Sequence, residues 1–276
     1  MMIPTALVDA VRSNKAILFA GAGLSMNLGL PSFSSLIDKL AEDLDFDAEL
    51  FQLAGDFMTL TEYYSVVNEG RLGPLRSWMD TNWHAESIRI EESAIHRAIV
   101  DLEFRSIYTS NYDRWIEKSF DHWNKPYHKI ANVADIARSP IDTTQIIKFH
   151  GDFDDDDSLV LTESSYFRRM SFESPLDLKL RADVLGNTIL YLGYSLSDIN
   201  LRYLLYRLEQ QWSEYGVSKS KPQSFIFLAR PNAVQELLLS TRGITPIIAE
   251  HDNPKTAAEN FLQELLDQAR GIGYRD

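Results

Sequence analysis

The stretch Ala16-Ile17-Leu18-Phe19-Ala20 runs straight into Gly21-Ala22-Gly23-Leu24-Ser25. A short, wholly apolar run ending in glycines reads as a strand buried on both faces, feeding a tight turn and then a helix. Such strands belong to parallel sheets covered by helices, so these ten residues restrict the chain to an α/β architecture. The glycines can take backbone angles closed to other residues and expose their N–H groups. A turn of that kind, opening a helix, suits a pyrophosphate. Alone, Gly-x-Gly after a strand serves equally well just to turn the chain.

Six more segments read as strands: Arg105 to Thr109, Tyr127 to Ile130, Gln145 to Phe149, Thr188 to Leu192, Ser224 to Ala229 and Ile244 to Ile248. Helical spacing fills the intervals, including a helix capped by Asp198 with Leu201, Leu204, Leu205 and Leu208 on its apolar face. The pattern predicts one Rossmann-like domain over residues 1–276, a parallel sheet with helices on both faces. From about 46 to 100 the spacing is helical throughout, with no strand. A crossover needs only about a dozen residues and one helix, so the excess reads as a helical insertion. Its aromatics, Phe57, Tyr63, Tyr64, Trp78 and Trp83, are expected to form its core, part of that face being available to the pocket or a neighbouring subunit.

Composition removes several function classes. The absence of cysteine excludes disulfides, thiolate zinc sites and cysteine nucleophiles. A net charge of −13, with no basic stretch longer than Arg168-Arg169, argues against direct nucleic-acid binding. There is no signal-peptide pattern and no apolar run of about 18 residues, so a cytoplasmic protein without membrane contact is expected. The acidic run Asp152 to Asp157 lacks the spaced ligands of a calcium loop and reads as a solvated loop.

Four polar clusters fall at the carboxyl ends of four predicted strands: Gly21-Ala22-Gly23-x-Ser25, Ser110-Asn111-x-Asp113, His150-Gly151 and Gly193-Tyr194-Ser195. In open α/β sheets that edge binds ligands. With these motifs in order, together with Gly29-Leu30-Pro31-Ser32-Phe33, Phe149-His150-Gly151 and Leu196-Ser197-Asp198, the chain resembles the sirtuin-like NAD-consuming domains, especially those of bacterial antiphage defence.

The resemblance implies NAD as substrate, hydrolysed to nicotinamide and ADP-ribose. It implies that Gly21, Ala22, Gly23 and Ser25 form the phosphate turn, and that Asn111 lies beside the nicotinamide ribose and positions the attacking group. Asp113 would hold the nicotinamide amide, with Ser110 beside it. His150 would contact the ribose as general base, and Gly193, Tyr194 and Ser195 would face the adenosine half. A histidine titrating near neutrality can accept a proton from water or a ribose hydroxyl. The chain departs from the protein-deacetylating sirtuins in lacking their four zinc cysteines, so no zinc is expected. It also has Ser110 where they carry Gln, and Ser32-Phe33-Ser34 where they carry Asp-Phe-Arg. These changes favour water over an acetyl group as acceptor. Cyclisation or transfer of ADP-ribose at the same site, or a sensor that binds NAD without turnover, stay open as alternatives. The family further implies a homo-oligomer and a separately encoded regulatory partner, a HerA-like ATPase or a short Argonaute-type protein.

Overall fold

The run Ala16–Ala20 is the central strand, β1, of a seven-stranded parallel sheet. The others are β2 (Ser106–Thr109), β3 (Tyr127–Ile130), β4 (Thr144–Lys148), β5 (Thr188–Leu192), β6 (Ser224–Leu228) and β7 (Ile244–Ile248), in the order β3-β4-β2-β1-β5-β6-β7. The coordinates are a computed structural model describing residues 2–31, 33–155, 158–194, 199–214, 221–249 and 251–272.

Every residue of β1 is buried, because both faces are covered. Ala16, Leu18 and Ala20 enter one core with the helices Thr5–Arg12, Ala94–Asp101, Trp115–His122 and Pro254–Ala269. Ile17 and Phe19 enter the other, against Pro175–Asp183, Ile199–Glu214 and Ala233–Thr241. This is the two-residue alternation of a strand between two helical layers. Pro246 is tolerated because, among the described residues, β7 is an edge strand with no ladder partner on its outer side.

The connection from β1 leads to β2 on one side, whereas β5 enters on the other. The carboxyl end of β1 is therefore the point where connections diverge, the crevice in which such sheets bind ligands.

A third apolar cluster lies apart from the sheet. The helices Phe33–Asp43, Ala48–Leu53, Phe57–Val67 and Gly73–Trp83 gather Leu36, Leu40, Leu60, Tyr64, Leu75, Met79 and Trp83. Tyr112, Phe153, Leu159 and Leu161 join it from the segments after β2 and β4, so the cluster rests on the carboxyl edge of the sheet. Ala94–Asp101 instead packs on the sheet as the crossover helix, through Ile95, Ala98, Ile99 and Val100. Tyr63, expected in the core, is 45% exposed, with its ring against Phe46 and Phe51; Leu50, Leu53 and Val66 of the same helical segment are also exposed. No helix among the described residues is long and apolar enough to cross a membrane.

Candidate active site at the carboxyl edge of the sheet

The glycines after β1 and β5 interlock. Gly21 N–H donates to Leu192 O and Gly23 N–H to Gly193 O, both at 2.8 Å. A Cβ on Gly21 would lie 2.6 Å from Gly193 O, and one on Gly23 would lie 2.9 Å from Gly193 Cα. The expectation that these N–H groups are exposed is corrected: both are committed to the end of β5, and the glycines serve backbone approach. The turn's uncommitted backbone donor among the described residues is Ala22, which opens the short helix Ala22–Met26.

One hydrogen-bonded network joins this turn to the end of β2. Thr109 Oγ1 donates to Ala20 O at 2.8 Å and accepts from Asn111 N–H at 3.0 Å, fixing the turn to the strand beside it. Asn111 Nδ2 donates to Gly21 O and to Ser25 Oγ, each at 3.1 Å. Ser25 Oγ donates in turn to Asp113 Oδ2 at 2.6 Å, and Asp113 Oδ1 accepts from Trp115 N–H at 3.1 Å. Ser25, Asn111 and Asp113 are all buried. With Nδ2 engaged, Asn111 keeps Oδ1 as an acceptor without a partner among the described residues.

His150 follows β4 and is buried, with the edge of Tyr166 against its ring at 5.3 Å and Phe149 and Tyr112 nearby. Burial, followed by the positive charge of Arg169, pushes its imidazole down to about 3. It is therefore neutral across the physiological range, which corrects the expectation of a histidine titrating near neutrality. Gly151 explains the His-Gly pairing: it sits at φ +87° against Ser158, while His150 O accepts from Val160 N–H at 3.0 Å.

The loop that follows is not simply solvated. Asp152 is 1% exposed and pairs with Lys129, with Arg114 3.8 Å away. Asp154 bonds both cations, Lys129 at 2.5 Å and Arg114 at 3.1 Å. These two basic residues lie outside the acidic run in sequence and compensate its charge. Asp156 and Asp157 lie outside the described residues.

His150 opens onto a cleft lined also by Phe19, Ser110, Arg169, Phe172 and Tyr194. Ser110 Oγ and Tyr194 OH share a 2.9 Å hydrogen bond that bridges the ends of β2 and β5. Ser195 and Asp198 lie outside the described residues. Arg169, read in the sequence as half of a short basic pair, lies 3.9 Å over the Phe149 ring and bonds Asp177 Oδ2 at 3.2 Å. Spacing carries no signal for it, because it reaches the cleft from the helix Glu163–Met170.

The fold and these strand-end turns define a Rossmann-type α/β protein with its polar residues gathered at the topological switch. A SIR2-like domain profile matches residues 105–247, and the chain belongs to that family. It is 34% identical over 199 residues to "NAD(+) hydrolase ThsA" of Enterococcus faecium, covering 71% of this chain and 40% of that protein. It is 24% identical over 205 residues to "Defense-associated sirtuin 2" of Bacillus subtilis, covering 72% of this chain and 20% of that protein. The chain thus spans well under half the length of these relatives. A crystal structure titled as a Sir2 homolog–NAD complex aligns over 98% of this chain and 95% of its own, with a TM-score of 0.52 at 14% identity, which shows the shared fold.

Proposed function

We propose that this chain is an NAD⁺ glycohydrolase that acts in antiphage defence by depleting NAD. The carrying observation is the network from Gly21 through Asn111 and Ser25 to Asp113, at the same carboxyl edge of the sheet as a neutral His150. The ThsA relatives, named as NAD(+) hydrolases, support the same reading.

In this reading the dinucleotide lies across the end of β1, its pyrophosphate at the Gly21–Ser25 turn and its adenosine half toward Gly193 and Tyr194. Asp113 and Ser110 take the nicotinamide side. The bond between the nicotinamide nitrogen and ribose C1′ breaks, and its electron pair leaves with neutral nicotinamide. Water attacks the positive C1′, and its proton passes to His150, giving ADP-ribose. Asn111 Oδ1 orients the water without competing for its proton. Burial keeps the His150 acceptor unprotonated but weakly basic, which suffices because a water bonded to the cationic C1′ is itself strongly acidic.

We take residues 1–276 as one domain with a helical insertion; the expected span of about 46–100 is narrowed at its end, because Ala94–Asp101 packs on the sheet, and extended at its start to the helix Phe33–Asp43. The exposed apolar side chains of Leu50, Leu53, Tyr63 and Val66 in the insertion's helices support self-association through it, and a separately encoded partner is proposed to release the activity. A monomer at micromolar concentration by light scattering contradicts the self-association. The function is tested by incubating the chain with NAD and separating the products. Nicotinamide with ADP-ribose is the expected result; a cyclic product or a modified protein makes it a cyclase or transferase. Tight NAD binding without turnover, alone and with partner present, makes it a sensor.

A further inference from the structure

Lys148 ends β4 and is fully buried, as is the Glu117 side chain it faces, at 0% and 6% exposure with 3.2 Å between Nζ and Oε1. A lysine is almost never fully buried without a specific partner. Its Nζ also donates to the carbonyls of Asp113 at 2.5 Å and Tyr112 at 3.3 Å. Those carbonyls belong to the irregular turn that carries Asn111 and Asp113, and Lys148 stands two residues before His150. Glu117 lies in the first turn of the helix that the same segment feeds. The ammonium therefore ties together the strand bearing His150, the turn bearing Asn111 and Asp113, and the helix behind them.

We propose that Lys148 is a positioning residue of the reaction: anchored by Glu117, it holds the Tyr112 and Asp113 carbonyls and so sets Asn111 and Asp113 relative to His150. This rests on the glycohydrolase reading for its kinetic consequence, but not for its structural one. Glu117 is the counter-ion that keeps the ammonium there. Burial raises its carboxyl above the usual carboxylate range, the Lys148 charge opposing part of that rise. Tyr112 adds a second tie from the same turn, its hydroxyl donating to Val160 O at 2.6 Å. Breaking a buried ion pair by removing one partner is costly, whereas replacing both by apolar residues is often neutral. That asymmetry separates a structural role from a positioning one.

The test compares wild type, Lys148→Met, and the double variant Lys148→Met/Glu117→Leu in the full chain. Lys148→Met is expected to lower the melting midpoint by roughly 10 °C and kcat about 100-fold. The double variant is expected to recover most of the midpoint, while kcat stays about 100-fold down with KM little changed. Recovery of kcat together with stability would overturn the proposal and leave the pair purely structural. If Lys148→Met does not fold, the double variant carries the comparison alone. If wild type releases no nicotinamide, the glycohydrolase reading fails first. Hydrogen exchange at the Asn111 and Trp115 amides, bonded to Thr109 Oγ1 and Asp113 Oδ1, then decides. Faster exchange in the double variant than in wild type supports positioning, and equal exchange overturns it.

Discussion

Gly151→Ala is expected to destabilise the fold by about 3 kcal/mol or more, a large share of the roughly 5–15 kcal/mol that holds a domain together. Two costs combine. Gly151 sits at φ +87°, where an L side chain costs about 1–2 kcal/mol. Its Cβ would also lie 2.2 Å from the backbone oxygen of Ser158, and no side-chain rotation relieves a backbone clash. Overpacking of that kind adds about 1–3 kcal/mol. Gly29→Ala isolates the first cost, since Gly29 has φ +83° and nothing within 4 Å of its Cβ position. Urea unfolding should therefore show a loss of about 1 kcal/mol for Gly29→Ala and clearly more for Gly151→Ala. Equal losses would mean that the Ser158 segment gives way freely.

Acid should unfold the protein through two buried imidazoles. His96 lies fully buried on the crossover helix, its Nδ1 sharing a 2.8 Å hydrogen bond with Ser93 Oγ. Burial pushes it down to about 4, opposed by the nearby Asp113 charge, and His150 is pushed down to about 3. Both folded values lie below the unfolded value near 6.5, so the unfolded chain binds more protons as pH falls. Stability is complete above pH 6.5 and is lost progressively toward the folded values. Each histidine costs about 3 kcal/mol between pH 7 and pH 4, at about 1.4 kcal/mol per unit. Glu117, whose carboxyl is raised by burial, acts with the opposite sign below its own folded value. His96→Gln removes one contribution. Its urea stability between pH 7 and pH 4 should fall about 3 kcal/mol less steeply than that of wild type. An unchanged slope would show that His96 is hydrated.

The strands were legible because their cause is local: runs such as Ala16–Ala20 and Thr188–Leu192 are apolar throughout and end in turn residues. That Asn111 and His150 lie on one edge followed from their places after the carboxyl ends of two predicted parallel strands. What the sequence hid depends on partners distant in the chain. The N–H groups of Gly21 and Gly23 are taken by β5, some 170 residues on, so their commitment has no local sign. Lys148 reads as an ordinary strand-end cation until Glu117 and the Asp113 carbonyl appear beside it. Asp152 looks like one more residue of a solvated acidic run, and only Lys129, folded beside it, makes its burial tolerable. The low basicity of His150 comes first from its burial and then from Arg169, which a helix with no motif of its own contributes.

The most direct measurement is nicotinamide release from NAD by the purified chain beside Asn111→Ala and His150→Ala, with NAD binding measured in the same samples. Wild type should release nicotinamide, and each variant should be slower by about 100-fold or more while still binding NAD. Release unchanged in both variants, or no NAD binding by wild type, would contradict the assignment of this crevice as a glycohydrolase site.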